Sequence, residues 1–561
     1  MRCPTIAALM PKEQLTDATD SRHTRVILIV SNGPLLNTEE PSLSGRQAIS
    51  VPVQVPPMQL PAIATTMATG VEPHVHGIVT WATVSAKNPE HLQLVPIDAA
   101  QRRYPAFWTE AAGQGLRTMA INWPATKGDP DLNDAILPTA ISKVVRNELS
   151  TNPDLIDTLP PPEIGQHRRP QVATLLLRLD HVLAEAHSAV NAPNPHDALC
   201  IALQTSSHPE VRDPIAAAVH ERLMAFLQTI RDDAVVVIVN PAFPDVSKFE
   251  KPTLCRMTII CGGQVTPDKR RLIQLHSVGG AVRLLLGLPC PTGTGFPNWP
   301  FLTLPPANAS DRPFPVGARS DDVDWDAIIE RAIIAARESS DEAPMAIVQN
   351  LIRRFGTLAR IALRWARWDQ LADNAQRMVM LRGKALDHWM YVLSLDRGGN
   401  EPSRSLAIEA MVEKFPDLDI TKVAQALGLI ATAPDQVRAL LQDINVQTLG
   451  FDSALGPIGR LCLQVKLQDM GEAMLSHSIV RNSATAADRV ILANHLLKSG
   501  NAEAAFAAIG AAVSPKGSVQ WSLLLLRILL ATDRLDVAEQ FADAVLGFHP
   551  MDPEVMHLMK R

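Results

Sequence analysis

The chain has 561 residues, several times the length of a typical domain, so its sequence predicts at least two hydrophobic cores. Hydrophobic residues make up 46% and charged residues 20%, a balance typical of a folded globular protein and not of a disordered one. The net charge of −6 argues against the basic surface that nucleic-acid binding requires.

Cysteine usage and the beginning of the chain predict the compartment. Six cysteines are scattered without a Cys-x-x-Cys pair, which argues against a disulfide framework or a zinc knuckle and fits a reducing compartment. The first residues show no signal-peptide pattern, and no apolar run reaches the roughly 18 residues that a membrane span needs. We therefore expect a cytoplasmic protein with neither a membrane nor a nucleic acid as partner.

Residues 25–303 combine short apolar runs of strand length with amphipathic helical stretches. Continuous apolar strands separated by helices are typical of a mostly parallel sheet that helices cover on both faces. We predict an α/β domain over this range, preceded by an N-terminal extension of residues 1–24. The predicted strands are Arg25–Val30, Leu116–Asn122, Ala198–Leu203, Ala234–Val239 and Met257–Cys261, and the predicted helices are Pro105–Gln114, Val172–Val190 and Pro214–Ile230.

A proline-rich linker, residues 304–323, separates this part from an almost uninterrupted helical pattern over residues 324–561. Three similar helix–turn–helix junctions close on Ala473, Ala504 and Ala538, and residues 366–372 resemble an earlier copy. A period near 34 residues is that of tetratricopeptide-type helix pairs. We predict an all-α, tetratricopeptide-like solenoid that binds a protein partner, with a plain helical bundle as the alternative.

A basic stripe accompanied by two tryptophans lies near the start of the helical part. Its helical spacing indicates either a receptor for an acidic peptide or an ordinary solvated helix face. Its members are Arg353, Arg354, Arg360, Arg364, Trp365, Arg367 and Trp368.

Three segments of the first part carry motifs in a fixed order. Residues 60–78 run through Thr-Gly into Pro-x-x-His-Gly-Ile, residues 115–126 end in Asn-Trp-Pro-Ala-Thr, and residues 259–289 end in Leu-Leu-Gly-Leu-Pro. Together they resemble the alkaline phosphatase superfamily, in its type I phosphodiesterase and nucleotide pyrophosphatase branch, over roughly residues 25–303. The resemblance implies two divalent metals, usually zinc, held by Asp and His at strand ends, and a Thr or Ser nucleophile.

The first two implied site positions have lost that chemistry. Asn32 stands where the resemblance implies the Asp that ends the first strand, and Leu60 stands where it implies the nucleophile. An amide oxygen can touch a metal without neutralising its charge, and a leucine has no nucleophilic atom. Thr65, Thr66 and Ser50 are the substitutes that a shift of register would offer.

The remaining ligand positions are also altered. Gln204 replaces the Asp of an Asp-x-x-x-His motif whose His208 is retained, and Asn240-Pro241 replaces an Asp-His pair. The last implied histidine is missing, because residues 221–275 contain none. Two zinc ions among neutral amides would leave their positive charge uncompensated, so a pseudoenzyme is indicated.

Other constellations have weaker signals. His181 and Glu185 are four residues apart on a predicted helix beside Asp180, which indicates either a metal pair or the polar face of that helix. His74 and His76 lie in the turn where the resemblance implies a supporting histidine. The sequence contains neither a phosphate-binding P-loop nor the Gly-x-Ser-x-Gly elbow of a hydrolase.

The sequence as a whole predicts a binding or scaffold protein with a degenerate cleft and helical repeats. We expect no metal or cofactor, and we expect Asn32, Gln204, His208 and Asn240 to line the cleft as neutral hydrogen-bonding groups. The alternative is a metal-dependent phosphodiesterase or phosphatase-type hydrolase with an atypical zinc or manganese site. A purely structural subunit is the third hypothesis, and the small-molecule ligand stays open.

Overall fold

The computed structural model divides into an α/β unit and a helical unit, the second of which includes Val84–Leu94 together with Val323–Arg561. Within the described ranges, no helix has both the length and the apolar character that crossing a bilayer needs. The structure describes residues 25–31, 47–55, 58–85, 92–160, 164, 166–203, 209–231, 234–240, 253–261, 273–289, 323–339, 341–364, 366–445, 449, 451–481, 483–510, 518–548, 555 and 557.

An eight-stranded sheet organises the first unit. The third and fourth strands pair as a separate two-stranded sheet, of which Val84 and Leu94 belong to the second unit. The strands are β1 (Arg25–Ser31), β2 (Gln47–Val55), β3 (Ala82–Val84), β4 (Leu94–Pro96), β5 (Thr118–Ile121), β6 (Asp134–Ile136), β7 (Ala198–Leu203), β8 (Ala234–Asn240), β9 (Thr253–Cys261) and β10 (Ile273–Gln274).

The strand order in the large sheet is β10-β2-β9-β8-β1-β7-β5-β6. Its neighbours pair in parallel except at β9, which runs antiparallel to both β8 and β2. The five predicted strands are confirmed and are the five adjacent members β9, β8, β1, β7 and β5. The predicted mostly parallel α/β sheet is therefore present, with one antiparallel strand that the sequence did not predict.

Helices cover both faces of this sheet. Ile27 and Ile29 of β1 belong to a core built with α4, α6 and α7, whereas Val26 and Leu28 are buried on the opposite face. The helices of this unit are α1 (Leu60–Thr69), α2 (Pro73–His76), α3 (Phe107–Gly113), α4 (Pro138–Thr151), α5 (Leu155–Thr158), α6 (Arg169–Val190), α7 (Pro209–Gln228) and α8 (His276–Leu285).

Helices α1 and α8 approach each other closely at a glycine. A Cβ atom on Gly279 of α8 would lie 2.6 Å from the carbonyl oxygen of Met67 and from the amide nitrogen of Gly70. The same end of α1 receives Arg283 of α8, whose guanidinium donates to the Thr69 carbonyl at 3.1 Å. Small and charged residues of α8 therefore fix the position of α1.

The second unit consists of consecutive helices with local cores. Val84 of β3 is buried in the first of these cores, among α9, α10 and α11, and Leu92 and Leu94 pack against the same cluster. The helices are α9 (Trp325–Glu338), α10 (Glu342–Arg364), α11 (Trp368–Leu381), α12 (Ala385–Gly398), α13 (Glu401–Lys414), α14 (Asp419–Leu429), α15 (Pro434–Gln442), α16 (Leu455–Gln464), α17 (Gln468–Val480), α18 (Ala486–Lys498), α19 (Ala502–Ile509), α20 (Val519–Ala531) and α21 (Leu535–Phe548).

Candidate functional site

The carboxyl ends of the parallel strands form the edge at which α/β sheets bind ligands. Four of the predicted site residues, Asn32, Gln204, His208 and Pro241, lie outside the described residues. Asn240 is the last residue of β8, and its side chain also lies outside the description. Whether these residues share one cleft therefore stays a prediction.

Leu60 is described, and it begins α1 with its side chain buried at 2% exposure. Its two substitutes on that helix, Thr65 and Thr66, are equally buried. The carbonyl oxygen of Thr65 accepts a bond of 2.7 Å from the Thr69 hydroxyl, which is a helix-internal bond. The Oγ1 of Thr66 lies 3.0 Å from His76 Nε2, a pairing that could in principle join a nucleophile to a base.

The Thr66–His76 pair has the wrong polarity for a nucleophile and its base. The Ile78 N–H donates to His76 Nδ1 at 3.1 Å, so Nδ1 carries no proton. Burial, with smaller contributions from His74, Arg102 and Arg103, holds the pKa of His76 well below its usual value and keeps the ring neutral. The single ring proton is then on Nε2 and points at Thr66, so His76 is a donor to this hydroxyl. The pair supports the turn, as the structural interpretation of His76 predicts.

The segment after β5 is buried and conformationally restrained. Asn122 has a left-handed backbone with φ of 56°, and its Nδ2 donates to the Ala202 carbonyl at 2.7 Å. Its Oδ1 and the neighbouring Trp123 Nε1 are buried and have no hydrogen-bond partner within the described part of the chain. The edge of the sheet thus holds one acceptor and one donor that water or a ligand would satisfy.

A buried ion pair braces this segment from the side. Arg102 donates to Asp129 at 2.8 Å and to the Ala125 carbonyl at 3.3 Å, and Trp108 Nε1 donates to the same carboxylate at 2.7 Å. The Arg102 guanidinium also lies 5.3 Å from the centre of the Trp108 ring. These contacts hold the loop in place and occupy the Asp129 carboxylate with Arg102 and Trp108.

The predicted metal pair on α6, His181 with Glu185, is not held together by a common contact: Glu185 is exposed, and His181 and the neighbouring Asp180 each contact a different helix. His181 Nε2 lies 2.6 Å from Glu148 of α4, and Asp180 accepts a bond of 2.7 Å from Arg222 of α7. These residues are therefore part of the polar face of α6. Among the described residues, no group of three or more His, Cys, Asp or Glu side chains is placed to hold a metal ion.

The helical unit repeats one junction six times within the described residues. A junction residue immediately precedes the second helix of each pair, and the N–H four positions later donates to its carbonyl. Successive junction residues are 33 or 34 positions apart, which is the predicted period. They are Arg367, Asn400, Ala433, Leu467, Asn501 and Arg534.

Five of these junctions share one backbone conformation. A left-handed residue with φ between 52° and 85° precedes the junction residue, whose N–H donates to the carbonyl five positions earlier. The remaining junction, at Ala433, is the third along the chain and differs from the other five. The N–H of Ala433 donates to the Leu429 carbonyl, and Pro434 begins the next helix. The left-handed residues are Ala366, Gly399, Lys466, Gly500 and Asp533.

The structure corrects the alignment of the repeats. The position four residues after the junction residue holds Gly471, Ala505 and Ala538 in the last three repeats, so Ala473 and Ala504 are not equivalent to Ala538. In the first three repeats it holds Leu371, Arg404 and Val437. Ala505 and Ala538 are buried at 0% and 1% exposure. Gly471 faces α16, where its Cβ would lie 3.0 Å from the Gly459 carbonyl oxygen. A small, buried residue at this position is therefore a feature of the last three repeats.

We define α12, α14, α16, α18 and α20 as the inner layer, because these helices contact one another in succession. Arg397 at the end of α12 lies 4.0 Å from Asp488 of α18, three members further along the layer. The indole of Trp389 in α12 donates to Ser453, just before α16, at 3.3 Å. Helices that are not adjacent in the layer can make contact when the array curves towards the side on which they lie. The inner layer is therefore on the concave side of the array.

Two equivalent arginine and aspartate positions occur in this array. Arg360 and Arg460 each lie seven residues before a junction, and Asp387 and Asp488 each accept a backbone N–H at the start of the next inner helix. Arg460 pairs with Asp488, whereas Arg382 takes Asp387 through bonds of 2.8 and 2.6 Å. Burial, and secondarily the Arg382 charge, lowers the pKa of Arg360 to about 10.

The predicted basic stripe does not form one surface. Arg354 is buried, and its guanidinium lies 4.6 Å from the centre of the Trp325 ring. Arg360 donates to Thr357 at 3.0 Å, and Arg367 is a junction residue. The side chains of Arg364 and Trp365 lie outside the described residues.

No protein-family model matches the sequence. No curated protein matches it either. Among solved structures, the chain is similar to one in the crystal structure of the APC/C hetero-tetramer Cut9–Hcn1, with a TM-score of 0.30 and 11% sequence identity. That match covers 44% of this chain and 51% of that one, so this chain spans about half of its length.

A second similar structure comes from the functional characterization of PilF of Pseudomonas aeruginosa. Its TM-score is 0.29 and its sequence identity is 12%. The match covers 38% of this chain and 98% of that chain.

Proposed function

We propose that this protein is a non-catalytic scaffold whose helical repeats bind a protein partner. The observation that carries the proposal is the junction repeated every 33 or 34 residues, which stacks helix pairs into a curved array. Arrays of this kind offer an extended concave surface to partners. Exposed polar side chains of the inner layer, Gln464, Asn494 and Arg527, supply the contact positions.

The proposal includes an α/β unit that is a degenerate member of the alkaline phosphatase superfamily. It is supported by Asn32, Leu60 and Gln204 at positions where the resemblance implies an Asp, a nucleophile and another Asp. Leu60 is buried and apolar, and the hydroxyl of Thr66 accepts a hydrogen bond from the Nε2–H of His76. A unit of this kind contributes a folded surface and not a reaction.

Site-specific photo-crosslinking tests the binding surface. We place benzoylphenylalanine at Gln464, Asn494 or Arg527 of the inner layer, and at exposed His477 or Ala507 of the second helices as matched controls. We expect the inner-layer positions to crosslink to one common protein in the native host cell and the controls to give no such product. Equal products from both sets, or none from the inner layer, would contradict the proposal.

A metal-dependent hydrolase is the alternative, and it makes a separate prediction. Such an enzyme retains about two divalent ions per chain. After equilibration with zinc and manganese and desalting, we expect metal analysis to find well below one equivalent. Retention of two equivalents, with hydrolysis of a phosphodiester or phosphomonoester, would replace the scaffold proposal with the hydrolase.

A further inference from the structure

One aspartate of the helical unit is surrounded by groups from several repeats. Asp488 is 1% exposed and lies in the first turn of α18, where its Oδ2 accepts the N–H of Thr485 at 2.8 Å. Its other oxygen contacts Arg460 of α16 and lies 4.0 Å from Arg397 of α12. The space around it is restricted, because a Cβ on Gly456 would lie 2.6 Å from its Oδ2.

The Arg397 side chain spans the interior of the array. Its guanidinium lies 5.9 Å from the centre of the Trp368 ring on one side and reaches Asp488 on the other. Its Nε is buried and has no hydrogen-bond partner among the described residues. An arginine held in this way loses side-chain entropy, and removing the charge partner of a buried carboxylate leaves that carboxylate uncompensated.

The neighbouring acidic group has its own partner. Asp396 accepts a bond of 2.7 Å from Arg404 of α13, inside the same helix pair. Asp488 is thus the carboxylate that joins Arg397 to a distant helix pair. This connection adds to the indole contact between Trp389 and Ser453, which joins nearer members of the layer.

We propose that Arg397 and Asp488 form an ionic latch that closes the inner layer between α12 and α18. The latch links helix pairs that are three members apart, and the Trp389–Ser453 contact links pairs two members apart. The ordinary contacts of a repeat array join neighbours. The latch therefore sets the curvature of the array and the width of its concave surface. A partner that enters this surface between α12 and α18 has to displace the latch.

Amide hydrogen exchange on the full chain tests the latch. Arg397→Gln removes the charge that reaches α18 and keeps a polar side chain. We expect exchange in α12 and α18 to become at least about fivefold faster, with exchange in the α/β unit unchanged, because only the link between distant helix pairs is lost. Arg397→Lys retains the charge and should restore much of the protection.

Arg404→Gln is the matched control, since Arg404 pairs with Asp396 within one helix pair. We expect it to accelerate exchange in α13 and α12 and not in α18. A wild-type exchange pattern in Arg397→Gln, or an equal effect of Arg404→Gln on α18, would overturn the latch.

Double substitution keeps the proposal testable when a single change perturbs folding. Adding Arg397→Gln to Asp488→Asn should increase α18 exchange by less than twofold, because the charge partner is already absent. A full additional increase would show that Arg397 acts independently of Asp488 and would overturn the proposal. The readout is local protection, so it is independent of whether any protein partner binds.

Discussion

A buried ion pair joins three helices of the α/β unit. Arg283 has no exposed surface, and it donates to Glu110 at 3.0 Å as well as to the Thr69 carbonyl. Burial raises the pKa of Glu110, although the charge of Arg283 opposes this shift. The two residues therefore neutralise each other where α1, α3 and α8 meet.

Arg283→Met should destabilise the α/β unit by about 3–5 kcal/mol, because it leaves Glu110 buried without its counter-charge. Denaturant unfolding followed by tryptophan fluorescence measures the loss. The variant's stability should also fall as the pH rises above the usual carboxyl pKa, since the folded state then holds a proton that the unfolded state releases. If Arg283→Met/Glu110→Gln is no more stable than Arg283→Met alone, the pair is not the cause.

Burial of His76 should give the folding stability the opposite pH dependence. Its pKa is lowered in the folded state, chiefly by burial, so the unfolded chain takes up a proton that the folded chain does not. Stability should therefore decrease as the pH falls below about 6.5, by up to roughly 1.4 kcal/mol per unit. His76→Asn keeps an acceptor for the Ile78 N–H and cannot titrate. A thermal-melting series between neutral and acidic pH should show a shallower loss for this variant, and an unchanged slope would refute the assignment.

At the scale of helices, glycine sets how closely the two members of a pair approach. A Cβ on Gly459 of α16 would lie 2.6 Å from Cγ of Leu475 and 3.0 Å from the Gly471 carbonyl oxygen, both in α17. A Cβ on Gly356 of α10 would meet Met378 at 3.6 Å, which is ordinary contact. Two glycines, each in the first helix of its pair, thus differ in the space beside them.

Gly459→Ala should cost about 1–3 kcal/mol, because α16 and α17 must separate. Gly356→Ala, the matched control, should gain up to about 1 kcal/mol from higher helix propensity. Urea unfolding followed by circular dichroism of the helices distinguishes the two. Equal effects of both substitutions would show that the α16–α17 approach is not limiting.

Sequence patterns predicted the strands that are buried on both faces. β1, β7 and β5 are continuous apolar runs, and such runs identify the centre of a parallel sheet. Strand β2 contains Pro52, and β6 is a three-residue strand with an exposed Asp134, so neither carries that signal. The outer strands of this sheet depend on pairing with the centre and not on their own apolar pattern.

The period of the repeats could be predicted, and their register could not. Alanine alone suggested equivalence of Ala473 with Ala538, although the left-handed residues Lys466 and Asp533 define the junctions. A lysine or aspartate in that conformation has no strong sequence signature. The latch was missed for a related reason, since Arg397 and Asp488 are distant in sequence and meet through the curvature of the array.

At the scale of the whole molecule, the sequence order does not follow the division into units. Val84 precedes the strands β5 to β10 along the chain, yet it is buried at 4% exposure in a cluster with Ile329 and Leu351 of the helical unit. The contiguous boundaries expected from the sequence placed residues 84–94 in the α/β domain, whereas the structure assigns this segment to the helical unit. The first helix pair therefore depends on residues that lie more than two hundred positions earlier.

Val84→Asp should destabilise the helical unit, because it places a carboxylate among apolar side chains of α9 and α10. Introducing an unpaired charge into a core belongs to the mechanisms that cost several kcal/mol, and we expect about 3 kcal/mol. Hydrogen exchange should accelerate in α9, α10 and α11 and remain unchanged in α20 and α21. Thr83→Asp, on the neighbouring and partly exposed position of β3, is the control and should leave α9 to α11 protected. Equal protection in both variants would mean that the first core of the helical unit forms without the N-terminal segment.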